Sequence, residues 1–162
     1  TRQALSGAGW KLLFDAEALS GNVNPFIPQE EEKLIAELKY LLGIDVPVIA
    51  SCNRVSERDG HFVSVGVELS RDTTVEEVEE LMKIPTLGLP SSPKLVNEII
   101  DDSPTRQEYL WNGNGMTTTV GNIRVEGNIV RYDALSHNTV RGAAGGVILL
   151  AEFAVQESYI TK

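Results

Sequence analysis

The stretch "SCNRVSERDGHFVSVGVEL", Ser51–Leu69, decides the fold that we predict for this chain. Its second half alternates apolar and polar residues, which is typical of a β-strand with one face against a core. His61 begins that strand on the face shared by its valines, and the "RDG" before it suits the positive φ angles of a tight turn. The pattern predicts a hairpin over about residues 46–70 that brings Arg54 close to His61.

A cation beside an imidazole at a strand end has two interpretations. The pair is either surface decoration or one half of a catalytic site. Periodicity alone favours the surface interpretation, because charged and polar residues ordinarily occupy exposed strand ends.

The amino-acid composition excludes several classes of function. The chain has 162 residues, 42% apolar content and a net charge of −9, which suit one globular domain. The negative charge argues against a general nucleic-acid or anionic-membrane surface, and no apolar run approaches the roughly 20 residues of a membrane span. The single Cys52 excludes an intramolecular disulfide and fits a reducing compartment, so we expect a cytoplasmic protein without nucleic-acid or membrane partners.

The start of the sequence, "TRQALSGAG", carries neither an initiator Met nor a secretory signal. We therefore expect a piece of a longer protein, or a processed or excised domain.

Four further segments have clear secondary-structure patterns. "IPQEEEKLIAELKYLLG" predicts a helix closed by Gly43, and "TTVEEVEELMK" predicts a second helix with Thr74 and Glu77 as a capping box. "MTTTVGNIRVEGNIVRYDAL" predicts two strands around a Gly-Asn turn, and "NTVRGAAGGVILLAEFAVQES" predicts a final helix. The first helix has an apolar stripe that we expect to be buried: Leu34, Ile35, Leu38, Leu41 and Leu42.

The final helix begins with several glycines, each of which costs about 1 kcal/mol relative to alanine. Small residues there indicate either tight packing or a cofactor over the helix start. Metal chemistry is not expected, because His61, His137 and Cys52 lack metal-ligand spacing.

Four segments taken in order resemble a known family: "RQALSGAG", "PFIPQEEEK", "CNRV…DGH" and "LSHNTVRGAAGG". Together they resemble the C-terminal substrate-binding and dimerisation domain of aspartate-semialdehyde dehydrogenase of the archaeal and fungal type, over nearly all of residues 1–162. The last segment is the most specific, and the spacing of Arg54 to His61 is the most diagnostic.

The resemblance implies a role for each matching residue. His61 would be the catalytic acid/base and Gln3 would help to position the substrate. Arg54 would hold the substrate α-carboxylate, Glu30 its ammonium group and Lys33 the phosphate. Imidazole gains and loses a proton near neutral pH, and guanidinium offers a planar two-pronged donor to a carboxylate, so the residue types suit these roles.

The resemblance also implies NADP as cofactor, bound mainly by an N-terminal Rossmann domain upstream of this chain. Ser6, Gly7, Gly9 and Asn138 would line the nicotinamide end. The family's nucleophilic cysteine would also lie upstream, since Cys52 matches a structural position, so we expect the 162 residues alone to be inactive.

The implied fold is α+β, with a mixed, largely antiparallel sheet that has helices on one face and a homodimer, or tetramer, contact on the other. The implied substrates are aspartyl phosphate, aspartate semialdehyde and phosphate. Two segments depart from the family pattern: "RQ" at Arg106 lacks the usual Pro, and "EYLWNGNGM" is atypical. Archaeal malonyl-CoA reductases share "SGAG" and "HNTVRGAAGG", and a non-catalytic dimerisation module is a further alternative.

Overall fold

The computed structural model of this chain describes residues 23–25, 27 and 29–160. The chain divides into two compact units, Thr1–Arg58 and Asp59–Lys162. Each is described by itself.

The described part of the first unit contains one helix and one small sheet. Helix α1 spans Glu30–Leu42, and the antiparallel strands β1 and β2 span Val23–Asn24 and Arg54–Val55. The helix ends at Gly43, whose φ of 63° is the left-handed conformation that favours glycine at a helix C-terminus. Three glutamates in its first turn complement the positive end of the helix dipole.

The predicted buried stripe of α1 is wrong in part. Ile35 and Leu38 are half-buried, whereas Leu34, Leu41 and Leu42 are 42%, 76% and 60% exposed in the single chain. Helical periodicity identifies an apolar face, but it does not determine what covers that face.

The second unit is built on a five-stranded sheet of order β3-β7-β6-β5-β4. All neighbouring pairs are antiparallel except β5 and β6, which are parallel. Its strands are β3 His61–Glu68, β4 Ile84–Pro85, β5 Leu95–Ile99, β6 Thr118–Glu126 and β7 Ile129–Ser136. Its helices are α2 Val75–Met82, α3 Arg106–Tyr109 and α4 Gly145–Gln156. The predicted α+β class with a mixed, largely antiparallel sheet is confirmed.

The hairpin predicted over residues 46–70 is wrong. Strand β2 pairs with β1, whereas β3 pairs with β7 in an eight-residue register that runs from His61 opposite Ser136 to Glu68 opposite Ile129. Arg54 and His61 are therefore not cross-strand neighbours. The long β3–β7 ladder satisfies the backbone of β3 far better than a two-residue partner could, so tertiary pairing overrides the local turn signal.

The β6–β7 hairpin is confirmed, with Gly127 at a φ of 61° in the turn. The N-terminus of α2 is also as predicted in part, because the Thr74 hydroxyl accepts a hydrogen bond from the Glu77 N–H at 3.3 Å. The Glu77 carboxylate does not complete the capping box. It accepts instead from Thr73 Oγ1 at 2.7 Å and from Arg71 at 3.1 Å.

The start of the final helix is explained by packing at Gly145. A π-helical turn, Val140–Ala144, leads into α4, and a Cβ at Gly145 would overlap the Met116 sulfur. Met116 belongs to the small buried cluster with Leu89 and Leu149. Of the two interpretations, tight packing accounts for this glycine.

A buried carboxylate ties the sheet to the loop before α3. Asp133 on β7 accepts hydrogen bonds from Ser64 Oγ at 2.6 Å, Ser103 Oγ at 2.5 Å and Asn122 Nδ2 at 2.8 Å. Burial raises the pKa of Asp133, but these hydrogen bonds and nearby Arg124 outweigh it and hold the pKa below its usual value. The ionised form of Asp133 is therefore part of the folded structure.

Two strand glycines on one sheet face provide a test of this packing. A Cβ at Gly121 would overlap the Asp102 carbonyl oxygen and lie 2.7 Å from Ile100 Cγ1, whereas a Cβ at Gly66 would meet nothing within 4 Å. We expect Gly121→Ala to lower the free energy of unfolding in urea by about 1–3 kcal/mol. Gly66→Ala, the matched control, should change it by about 0.5 kcal/mol or less. Equal effects of the two substitutions would contradict this packing.

Candidate functional site

The predicted site residues fall into three groups. Gln3, Ser6, Gly7 and Gly9 lie outside the described residues. The first unit contains Glu30, Lys33 and Arg54, and the second contains His61 and Asn138.

Glu30 and Lys33 lie on α1 at the predicted spacing of three residues. Glu30 is the first residue of the helix, and both side chains are exposed. Residues three apart on a helix share a face. The Lys33 ammonium lies 3.7 Å from the Glu37 carboxylate, one turn further on. An exposed pair of this kind contributes little stability, so Lys33 is available to an anionic ligand.

Charges from α1 and β2 meet at Cys52. The Cys52 N–H donates a hydrogen bond to Glu31 Oε1 at 2.8 Å, which ties the segment before β2 to the first turn of α1. Burial raises the pKa of the Cys52 thiol, the carboxylates of Glu31 and Glu30 raise it further, and Arg54 lowers it. Glu31 is therefore the member of this acidic run that contacts the segment before β2.

Arg54 lies in β2 opposite Asn24 of β1, and it is half-buried. A half-buried guanidinium interacts more strongly with a carboxylate than a fully solvated one, because the surroundings screen the charge less. This setting suits the role that the resemblance implies for Arg54.

His61 lies at the first position of β3, opposite Ser136, and it is exposed. Its backbone is held by the sheet while its imidazole stays outside the buried core. His137 differs, since it is fully buried with its ring centroid 4.5 Å from that of Trp111 in an edge-on arrangement. The two histidines thus occupy opposite environments, and only His61 is accessible to a ligand.

Two long-range hydrogen bonds hold the backbone just before His61. The Gly60 N–H donates to Asn138 Oδ1 at 3.0 Å, and the Asp59 carbonyl accepts from Arg106 Nε at 2.6 Å. Gly60 has a φ of 120°, a conformation that side-chain-bearing residues rarely adopt. Asn138 is exposed, so its carboxamide also suits a contact with the nicotinamide end of a cofactor.

Among the described residues, no group of three or more His, Cys, Asp or Glu side chains is arranged to hold a metal ion. The helices in that part of the chain also fall short of the length and apolarity of a membrane-spanning segment.

The family model of the semialdehyde dehydrogenase dimerisation domain matches residues 1–141. The chain belongs to this family. Aspartate-semialdehyde dehydrogenase of Archaeoglobus fulgidus is 42% identical over 98% of this chain and 50% of the relative. The NADP-bound crystal structure of aspartate-semialdehyde dehydrogenase from Candida albicans superposes with a TM-score of 0.73 at 30% identity, over 90% of this chain and 48% of that one.

A relative with a different name also belongs to this set. A malonyl-CoA reductase (NADP) of Metallosphaera sedula is 31% identical over 100% of this chain and 51% of its own length. The chain spans about half the length of the curated relatives it matches.

Sequence reasoning missed three residues that shape the site: Glu31, Gly60 and Arg106. Glu31 stands in a run of acidic residues that looks like a solvated helix start, and the sequence around Arg106 departs from the family pattern without indicating a partner. The "RDG" signal drew attention to Gly60 but assigned it to the wrong pairing. Only the folded chain identifies the partners of these residues.

The charges around Cys52 can be tested in the 162-residue chain, where it is the only cysteine. We expect Glu31→Gln to lower the pKa of the thiol, because it removes a nearby negative charge, and Arg54→Gln to raise it. The pH dependence of iodoacetamide alkylation of Cys52 measures both shifts.

Glu32→Gln is the matched control for this experiment, since Glu32 is an exposed residue of the same helical turn. Shifts of the same sign in the Glu31 and Arg54 variants would contradict the arrangement of charges.

Proposed function

We propose that this chain is the C-terminal substrate-binding and dimerisation part of an NADP-dependent aspartate-semialdehyde dehydrogenase. The reaction is the reductive dephosphorylation of aspartyl phosphate to aspartate semialdehyde, in the biosynthesis of lysine, threonine and methionine in the cytoplasm. Its relatives in archaea and fungi bear this enzyme's name, and the Candida albicans structure contains NADP.

The observation that carries the proposal is the placement of His61. Its imidazole is exposed at the end of a strand whose backbone is fixed by the β7 ladder and by the bonds at Asp59 and Gly60. An acid/base group must be accessible to the reacting atoms and held in one orientation. A histidine that only decorates the surface would be exposed as well, so the feature that favours catalysis is the backbone held in place before His61.

The remaining roles follow the chemistry of the side chains. The Arg54 guanidinium binds the α-carboxylate through two parallel hydrogen bonds, and Glu30 binds the ammonium group. Lys33 binds the phosphate as a point charge on the same helix face. Gln3 orients the substrate, and His61 transfers the proton at the reacting group.

NADP would supply the hydride-transfer chemistry when bound. Ser6, Gly7, Gly9 and Asn138 line its nicotinamide end in this proposal. Asn138 is the described member of this set, and its exposed carboxamide is compatible with that contact.

Malonyl-CoA reduction is the second candidate function, supported by the Metallosphaera sedula relative. Its substrate has no α-ammonium group, so it does not require an acidic partner at that position. The presence of Glu30 on α1 and Arg54 on β2 in one unit favours the aspartyl substrate, because a carboxylate and a guanidinium together complement a zwitterion. A non-catalytic dimerisation module would need neither the Glu30 carboxylate nor the Arg54 guanidinium.

The test is steady-state kinetics of His61→Asn in the complete enzyme that contains this chain. We expect kcat to fall by about 10²–10⁴-fold with KM for aspartate semialdehyde nearly unchanged, because proton transfer is needed only in the transition state. Arg54→Lys should raise that KM and also lower kcat, because lysine keeps the charge but not the two-pronged geometry.

The Lys39→Gln variant is a control in α1, since the Lys39 pair with Asp45 is exposed and serves no role in the proposal. Full activity of His61→Asn would refute the proposal. Faster turnover of malonyl-CoA than of aspartate semialdehyde by the unmodified enzyme would select the second candidate.

We further propose that the chain forms a homodimer through the sheet face that bears Val63, Val65 and Val67. Val67 is 39% exposed and the other two are half-buried in the single chain. We expect this interface to be obligate, and obligate interfaces typically bury more than about 2,000 Å². Sedimentation should therefore find a dimer at micromolar concentration.

Val67→Lys should shift that equilibrium toward the monomer, because it places a charge on the proposed interface. Glu68→Lys, on the adjacent residue and the opposite face, should leave the equilibrium unchanged. A stable monomer before any substitution would contradict the proposal.

A further inference from the structure

The connection between β7 and α4 reaches across to the start of β3. Asn138 stands two residues after the end of β7, and its side-chain oxygen accepts the Gly60 N–H at 3.0 Å. The two residues are 78 positions apart in sequence, so this bond joins distant parts of the second unit. It falls on the Asp59–Gly60 peptide group, one residue before the peptide group that joins Gly60 to His61.

The Asn138 hydrogen bond holds backbone that lies beyond the end of the β3–β7 ladder. The β3–β7 ladder ends with His61 opposite Ser136, so the backbone before it receives no further support from that ladder. Gly60 is half-buried, and Arg106 Nε donates to the Asp59 carbonyl, which belongs to the same peptide group as the Gly60 N–H. The segment is thus fixed by side chains from two other elements rather than by strand pairing.

Loss of the Asn138 bond would leave the Asp59–Gly60 peptide group held by Arg106 at its carbonyl alone, so that its N–H end can turn about the Gly60 backbone bonds. Glycine has more accessible backbone conformations than any other residue, so its peptide groups move most freely when released. A displacement of about 1 Å at a reacting group can cost about 10²-fold in rate. The His61 imidazole is one residue from this point of freedom.

We propose that Asn138 is a positioning residue for His61, which it holds in its reactive orientation through the Gly60 peptide. This inference rests on the proposed acid/base role of His61. Asn138 is also expected to contact the nicotinamide end of the cofactor. The positioning role is a second function, and it depends on the carboxamide oxygen.

The oxygen and nitrogen of the carboxamide can be separated by substitution. Asn138→Ala removes both groups, whereas Asn138→Asp keeps an acceptor for the Gly60 N–H and loses the donor. In the complete enzyme, we expect Asn138→Ala to lower kcat by about 10–100-fold at saturating substrates, whereas any rise in KM for NADP from the lost nicotinamide contact should be shared by Asn138→Asp. Asn138→Asp should recover kcat to within about threefold of the unmodified enzyme.

The matched control is Gln107→Ala, which truncates an exposed amide on α3 beside Arg106. It should leave both constants unchanged. If Asn138→Ala does not fold, Asn138→Ser serves in its place, because the serine hydroxyl is too short to reach the same donor and the side chain stays polar.

Hydrogen exchange of the Gly60 amide provides a readout that is independent of catalysis. Exchange should accelerate in Asn138→Ala and stay close to the unmodified rate in Asn138→Asp, because only the first loses the acceptor. A rise in KM for NADP with kcat unchanged would overturn the inference, since it would make Asn138 a cofactor contact alone. An Asp variant as slow as the Ala variant, or unaltered exchange in Asn138→Ala, would also overturn it.

These outcomes differ from failure of the proposed function. If His61→Asn keeps full activity, His61 is not the acid/base and the proposed function fails. Faster Gly60 exchange in Asn138→Ala would then still establish the hydrogen bond, but not a catalytic purpose for it.

Discussion

The hydrogen bond from the Gly60 N–H to the Asn138 carboxamide oxygen is the constraint on which the placement of His61 depends. A single neutral hydrogen bond contributes about 1 kcal/mol to stability, which is small beside the burial of the sheet. Its importance is therefore geometric. It extends the order of the β3–β7 ladder to the Asp59–Gly60 peptide group, one residue before the candidate catalytic side chain.

Other contacts in the second unit hold the two elements that bind the Asp59–Gly60 peptide group. Arg106 on α3 binds the Asp59 carbonyl, while the close contact of Gly145 with Met116 fixes the start of α4, a few residues after Asn138. The buried Asp133 fastens β7 to β3 through Ser64 and to the loop before α3 through Ser103. The elements that carry Asn138 and Arg106 are thus linked to the sheet that carries His61.

Local signals in the sequence were sufficient for elements with local partners. The β6–β7 hairpin closes at Gly127-Asn128, and α1 ends at Gly43, as their turn and cap residues predict. The "RDG" signal failed because the partner of β3 is β7, about 70 residues further along the chain. A turn motif indicates only which backbone conformations are allowed, whereas the long β3–β7 ladder determines the partner of β3.

The candidate site was predictable in its residue types and not in its contacts. The family motifs predict roles for Glu30, Lys33, Arg54 and His61, whose side chains suit the implied chemistry. The hydrogen bonds made by their sequence neighbours join residues 21, 47 and 78 positions apart, and no local pattern encodes such pairs. Glu31 illustrates this limit, because its sequence neighbours are chemically identical and only the fold gives it the Cys52 N–H as a partner.

A crystal structure of the complete enzyme with bound aspartate semialdehyde tests the central claim most directly. The account predicts an imidazole nitrogen of His61 within about 2.6–3.2 Å of the substrate carbonyl oxygen, with the Gly60 N–H still bonded to Asn138. A bound substrate whose carbonyl oxygen contacts another acid/base side chain, while His61 faces solvent, would contradict it.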